Sequence, residues 1–230
     1  MTGVQTCALP ILFWEGPESK ATIYARLLDT EGAAVGPTRR LSDPSPHPVH
    51  PTLVAAEGSF WLVWEQRLSP QTDDLMAREL APDLQPLGPP IRLTAFGSDV
   101  GSVDRPHAVW YAGKLHVITA LRKGPFGRLR WMTFDPERLR REQGLPLATI
   151  ARPEDDAVAG ASAPVGSQAS LLGQPRAACA PEGCYIAWDD ERPGFGAGLA
   201  LIDAASGKPL WQKSLSSDGA RPTVSVGFDK

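Results

Sequence analysis

The chain is predicted to be an all-β protein, a fragment of a β-propeller built from four-stranded antiparallel blades. The prediction rests on turn-forming residues, alternating apolar positions and an internal repeat. The 230 residues include 23 prolines and 22 glycines spread along the whole length, which suits many short strands joined by turns better than long helices. Alternating segments such as TIYARLL and DLMAREL give a strand two distinct faces, which is the pattern of stacked sheets.

The repeat is visible in three segments of the sequence. Residues 12–42 and 62–94 both run through Trp-Glu, a polar gap, a strand containing Ala-Arg, a turn with Gly-Pro, and Arg-Leu-Ser/Thr. Residues 185–216 keep a Trp followed by an acid, an alternating strand and a closing Leu-Ser, and residues 115–135 form a weaker copy. A proline and a hairpin turn precede each later copy, so one unit holds four strands. Tandem four-stranded units indicate propeller blades, whereas a β-sandwich would not explain such similar units.

The repeat also predicts the organisation of the chain. We expect a single propeller fragment over residues 12–230, with three complete blades flanked by two partial ones. The predicted segments are a partial blade at 12–43, blades at 50–95, 105–151 and 174–216, a loop insertion at 152–173, and a partial blade at 220–230. Residues 1–11 resemble a translated sequencing adapter. They are therefore interpreted as a non-native leader, with the true N-terminus missing.

Charge and hydropathy exclude two classes of partner. The formal net charge is −3, and no segment gathers the Lys and Arg that phosphate backbones require, so no nucleic acid is expected. No stretch approaches the roughly twenty apolar residues of a membrane-spanning helix.

The blade motifs resemble those of bacterial extracytoplasmic propeller repeat proteins. The resemblance rests on Trp64-Glu65, the Met-Ala-Arg strand that follows, and the closing Arg-Leu-Thr. It covers residues 12–230 and implies a periplasmic, secreted or lipid-anchored protein. One blade, through Asp203, Gly207, Lys208 and Trp211, also resembles quinoprotein-type repeats. No cofactor is expected, because a quinoprotein would carry that motif in most blades.

Two cysteines flank a hairpin turn in the segment CAPEGC. If the flanking strands pair, Cys179 and Cys184 face each other at a separation that a disulfide spans. Such a bond implies an oxidising compartment. The alternative is a pair of reduced thiols in a cytosolic hairpin.

Metal and catalytic motifs are weak throughout the sequence. His47 and His50 form an H-x-x-H in a proline-rich loop, without the helix that aims both rings at one ion. Asp73 and Asp74 belong to no spaced series of calcium ligands. The sequence contains no nucleophile elbow, P-loop or dinucleotide fingerprint. We therefore assign no catalytic residue and no metal ligand.

The candidate binding residues come from aligning the repeats. A polar residue precedes the proline that opens the first strand of each blade, and these starts should meet at one mouth of the central channel. The residues are His50, Arg105, Gln174 and Arg221. Together they suit a small anionic or carbohydrate ligand, although ordinary strand-entry residues bonding loop carbonyls would show the same pattern.

The predicted function is a non-catalytic binding or interaction module, with the ligand, or a protein partner, at the channel mouth. The alternative is a fragment of a propeller enzyme, glycoside-active or quinone-dependent, whose catalytic residues lie in missing blades. Fold alone does not choose between them.

Overall fold

The computed structural model describes residues 9–15, 21–43, 48–69, 72–94, 102–123, 126–141, 172–190 and 196–216. These residues form four antiparallel sheets and a short helix. Within each sheet, neighbouring strands follow one another in the chain, as in a propeller blade. We number the sheets blades 1 to 4 in chain order, and the predicted all-β propeller-type fold is confirmed.

The strand bounds define the blades. Blade 1 contains β1 (Leu9–Glu15), β2 (Thr22–Leu28) and β3 (Ala34–Arg40). Blade 2 contains β4 (Pro48–Ala56), β5 (Ser59–Ser69), β6 (Thr72–Leu80) and β7 (Ile91–Arg92). Blade 3 contains β8 (Ser102–Tyr111), β9 (Lys114–Lys123) and β10 (Phe126–Phe134), followed by helix α1 (Pro136–Arg141). Blade 4 contains β11 (Leu172–Ala180), β12 (Gly183–Asp190), β13 (Ala197–Ile202) and β14 (Pro209–Ser216).

The hydrophobic core lies between the blades. Strand β5 shows why: Trp61 and Val63 pack in the layer against blade 3, whereas Leu62 and Trp64 pack in the layer against blade 1. A third layer joins blades 3 and 4. Because successive side chains of a strand point to opposite faces, each alternating strand contributes to two layers at once.

The closing Arg-Leu-Ser/Thr motif has a structural role. The hydroxyl of Ser42 accepts a hydrogen bond from the backbone N–H of Ile23 at 2.9 Å, and Thr94 Oγ1 accepts one from Leu75 at 2.9 Å. Each motif thus satisfies a buried backbone donor of the neighbouring strand. The fully buried carboxylate of Asp74 belongs to the same arrangement, since it accepts from the Thr94 hydroxyl at 2.6 Å.

Several predicted boundaries differ from the strand bounds. Strand β1 includes the last three residues of the predicted leader, with Leu9 opposite Leu28. Strand β11 begins at Leu172, inside the predicted insertion at 152–173. Blade 3 has three strands among the described residues rather than the four predicted, and residues 142–171 and 217–230 lie outside the described part. The predicted partial blade at 220–230 therefore falls outside it.

The predicted disulfide is present. Cys179 and Cys184 are cross-strand partners in the β11–β12 hairpin and are bonded to each other. Cys184 is fully buried in the layer between blades 3 and 4. Among the described helices, none is long and apolar enough to cross a membrane.

Candidate functional site at the channel mouth

The same β-bulge interrupts the first strand of blades 2, 3 and 4. The strand register shifts between Val49 and Thr52, between Asp104 and His107, and between Gly173 and Arg176. Each bulge encloses a residue-proline pair: His50-Pro51, Arg105-Pro106 and Gln174-Pro175. Proline has no N–H for the ladder, so a bulge is where it fits within a strand. Bulges also redirect side chains and are common beside functional sites.

Two bulge residues adopt a backbone conformation that side chains disfavour. His50 has φ of 49° and Arg105 has φ of 52°, both in the left-handed region that non-glycine residues rarely occupy. Such strain persists only where surrounding contacts hold it, and it concentrates at functional sites.

Hydrogen bonds of one type join consecutive bulges. Thr52 Oγ1 accepts from the backbone N–H of Ala108 at 3.4 Å, and His107 Nδ1 accepts from the N–H of Ala177 at 3.2 Å. Since His107 Nδ1 is an acceptor, its ring hydrogen is on Nε2. Burial and the nearby charge of Arg176 lower the pKa of His107 from 6.5 to about 4, so this ring is neutral at neutral pH.

The three bulges line a cleft of about 320 Å³. Its walls are formed by residues 50–52, residues 105–107 and Arg176. None of these residues is acidic, although Asp104 is the chain neighbour of Arg105.

The structure brings two of the predicted residues, His50 and Arg105, together at this cleft, and their binding of a ligand stays a prediction. The side chain of Gln174 and the whole of Arg221 lie outside the described residues. The prediction missed Thr52, His107 and Arg176, which follow the proline instead of preceding it. The residue-Pro-residue triplet was the signal that would have identified them.

Two carboxylates, those of Glu65 and Asp104, contact the cleft residues and hold them in place. Glu65 Oε2 lies 2.9 Å from His50 Nδ1 and accepts the backbone N–H of Arg105 at 3.2 Å. Asp104 Oδ1 lies 3.7 Å from Arg105 Nε and 3.9 Å from His50 Nδ1. Burial raises the pKa of Glu65, while its contacts with His50 act in the opposite direction. Glu65 thus connects a side chain of blade 2 to the backbone of blade 3.

These residues also have metal-ligand chemistry. Donor atoms of His50, Glu65 and Asp104 all lie within 4.8 Å of one another, and imidazole with carboxylates is a common ligand set for divalent cations. However, the N–H of Arg105 occupies the same Glu65 oxygen, and the Arg105 guanidinium adds positive charge beside Asp104. These contacts fit a cluster of side chains that pair with one another better than they fit a cation site. His47, the other half of the H-x-x-H motif, lies outside the described residues.

Arg176 has a different environment. Its Nη1 donates to the carbonyl of Pro175 at 3.0 Å, and no carboxylate of the described residues lies within ion-pair distance of it. The register shows a second difference between the two junctions, at the residues before the prolines. Thr52 is paired with Val63 and His107 with Ile118, so Ala120 of blade 3 occupies the position that Glu65 has in blade 2.

Blade 4 carries its own acid at the repeat position of Glu65. This residue, Asp189, is opposite Gly173, and its side chain is 6% exposed. Its Oδ1 has no hydrogen-bond partner among the described residues. Asp189 is not one of the residues that line the cleft.

Comparisons with known proteins identify the fold. No protein-family model matches the chain, and no curated protein sequence matches it. The solved structures that resemble it include a levansucrase from B. megaterium (TM-score 0.57, 10% identity, 96% of this chain and 68% of that one), a xylan beta-1,4-xylosidase from Bacillus halodurans (0.52, 13%, 97% and 44%), and a GH43 endo-arabinanase from Bacillus licheniformis (0.51, 11%, 91% and 74%). These enzymes are five-bladed β-propellers, and this chain spans 44% to 74% of their lengths. At such low identity the likeness establishes the fold alone.

Proposed function

We propose that the channel mouth is a carbohydrate-binding site and that the chain is the binding part of a β-propeller protein located outside the cytoplasm. The observation that supports this proposal is the cleft itself, which is formed by the same bulge in three consecutive blades, two of them with a strained residue. Polar side chains at the bulges also join the blades, but Arg176 at the cleft has no carboxylate partner among the described residues. The likeness to carbohydrate-active propellers supports the same ligand class.

The chemistry of the cleft suits a sugar. Its volume of about 320 Å³ is at the lower end of the range for small-molecule sites. The hydroxyl of Thr52 and the Nε2–H of His107 are donors whose side chains are already held by hydrogen bonds between blades. Donors fixed before binding lose little freedom when the ligand arrives.

The disulfide supports the proposed location. Cys179–Cys184 is of the kind that persists in oxidising compartments such as the periplasm or the extracellular medium. The test is thiol labelling after rapid alkylation of cells that express the natural gene. Protection of both cysteines in an extracytoplasmic fraction is expected, and free thiols in the cytosolic fraction would contradict the location.

The binding proposal is tested with an array of neutral and acidic oligosaccharides, followed by ligand-observed NMR on any that bind. A matched variant separates binding from folding. In His107→Asn the amide oxygen occupies the place of Nδ1, so the acceptor for Ala177 remains while the Nε2 donor is lost. We expect a folded protein whose binding is weakened about tenfold. If no oligosaccharide binds the unsubstituted chain, the proposal is wrong.

A second candidate function is glycoside hydrolysis, and one observation favours it. Donor atoms of Glu65 and Asp104 lie within 4.8 Å of each other, close to the roughly 5 Å that separates the two carboxyl groups of retaining glycosidases. The raised pKa of Glu65 is also a property of a general acid. Hydrolysis of 4-nitrophenyl arabinofuranoside or xyloside, abolished in Glu65→Gln, would establish this function. Binding is preferred because Glu65 already accepts two hydrogen bonds and does not line the cleft.

A further inference from the structure

We infer that the carbohydrate bound at the channel mouth is an acidic sugar, a uronate, whose carboxylate is bound by Arg176 beside His107. This inference rests on the proposed carbohydrate function and specifies its ligand class. It depends on residues that follow the prolines, which the sequence prediction did not include.

The charge of the cleft favours an anionic ligand. The cleft is lined by two arginines and no acid, within a chain whose net charge is −3. Arg105 is offset by Asp104, whose Oδ1 is 3.7 Å from Arg105 Nε. Arg176 has only the carbonyl of Pro175 as a hydrogen-bond acceptor within the described part of the chain. One uncompensated cation therefore remains at the cleft, and it favours a ligand with one negative charge.

The donors beside Arg176 favour a carboxylate. His107 accepts the backbone N–H of Ala177, the residue after Arg176, so the imidazole is held next to the base of that arginine. Its ring is neutral and presents Nε2–H. A guanidinium contributes two parallel N–H groups that match a carboxylate. The pair thus supplies donors and no acceptor for a carboxylate and the hydroxyl next to it.

The remaining cleft surface favours a sugar acid over a free inorganic anion. Pro51 and Pro106 present carbon surfaces, and the hydroxyl of Thr52 is available as a further polar group. Proline walls beside placed polar groups suit an organic ligand. An inorganic anion would leave these walls without contacts.

The probes are trigalacturonate and galactotriose, its neutral carboxyl-reduced counterpart, measured against the full chain by titration calorimetry. We expect trigalacturonate to bind at least tenfold more tightly. Arg176→Gln should weaken trigalacturonate binding about 10- to 100-fold, because a charge-assisted hydrogen-bonded pair is lost, and should leave galactotriose binding unchanged. Arg176→Lys should be intermediate, since it retains the charge without the planar fork.

The matched control is Arg26→Gln, which makes the same charge change at an exposed position in blade 1. It should bind trigalacturonate as the unsubstituted chain does, and circular dichroism with thermal unfolding checks that every variant is folded. Equal binding of the acidic and neutral trisaccharides, unaffected by Arg176→Gln, would overturn the uronate assignment while leaving the proposed function intact. Binding of neither trisaccharide overturns the uronate assignment, and the oligosaccharide array then decides the proposed function separately. Tighter binding of galactose 6-phosphate than of galacturonate would replace the carboxylate with a phosphate ester and overturn the inference.

Discussion

The junction between blades 2 and 3 and the junction between blades 3 and 4 share one scaffold but differ in charge. In both, a side chain after the proline accepts the backbone N–H of the next blade, from Thr52 to Ala108 and from His107 to Ala177. Behind the first junction, Glu65 contacts His50 and the backbone of Arg105. At the second junction, Ala120 occupies the position of Glu65.

The repeat thus assigns stability to one junction and the proposed binding to the other. At the blade 2–3 junction the charged side chains contact one another, and these contacts hold the two strained residues, His50 and Arg105, in place. The blade 3–4 junction leaves Arg176 without a carboxylate partner among the described residues, so its charge is available to a ligand. Under the proposed function, the shared backbone geometry of the blades supplies the site, and the difference between their side chains supplies its specificity.

The strongest test of this comparison is Glu65→Ala, which gives blade 2 the residue that blade 3 has. It removes the acceptor for the N–H of Arg105 and the carboxylate partner of His50. We expect the free energy of unfolding to fall by about 2–3 kcal/mol, measured by urea denaturation. Glu65→Gln keeps an oxygen acceptor without a buried charge and should recover most of the loss. Equal stability of the Ala and Gln variants would show that Glu65 does not hold the junction.

The disulfide stabilises the other junction, where Cys184 packs between blades 3 and 4. Replacing Cys179 and Cys184 together with Ala should lower the free energy of unfolding by about 2 kcal/mol, the amount expected for a short closed loop. Thermal unfolding with and without reductant provides the measurement. Reductant should bring the unsubstituted protein close to the stability of the double variant, and no response to reductant would contradict the prediction.

The buried His107 predicts a dependence on pH. Its folded pKa of about 4 lies below the ordinary value of 6.5, so protonation favours the unfolded chain. Its contribution is complete above about pH 6.5 and is lost as the pH falls towards 4. We expect a loss on the order of 1 kcal/mol between pH 7 and pH 5.5, measured by urea denaturation at each pH. His107→Asn, which does not titrate, should remove this part of the dependence, and an unchanged profile would refute the assignment.

The smallest expected effect distinguishes two core tryptophans. Trp131, in the blade 3–4 layer, donates from Nε1 to the carbonyl of Ala204 at 3.1 Å, whereas the Nε1 of Trp61, in the blade 2–3 layer, has no partner among the described residues. Both are fully buried. Trp131→Phe should therefore cost about 0.5–1 kcal/mol more than Trp61→Phe. Thermal unfolding of the two variants compares them, and the reverse order would be contrary to this account.

The site was only partly predictable because of the bulges. The repeat alignment identified His50 and Arg105 through the prolines that follow them. In a regular strand, the residues on either side of the proline share one face and the proline points to the other. The bulge adds an unpaired residue and changes the local direction of the strand, so three successive residues at each of Pro51 and Pro106 line the cleft. Alternation therefore groups His107 with Arg105, but it does not indicate that the proline between them lines the same surface.

The sequence by itself indicated the four-stranded blades, the layers between them and the facing positions of Cys179 and Cys184, because these depend on alternation, turns and spacing, which are local properties of the chain. Only the tertiary structure decided which side chains meet. It placed Glu65, a residue of the blade motif, against the backbone of Arg105, forty residues later. It also left Arg176 beside His107 without a carboxylate partner among the described residues. The net charge at a site depends on which charged side chains lie near it, and the stacking of the blades sets the distances between those side chains.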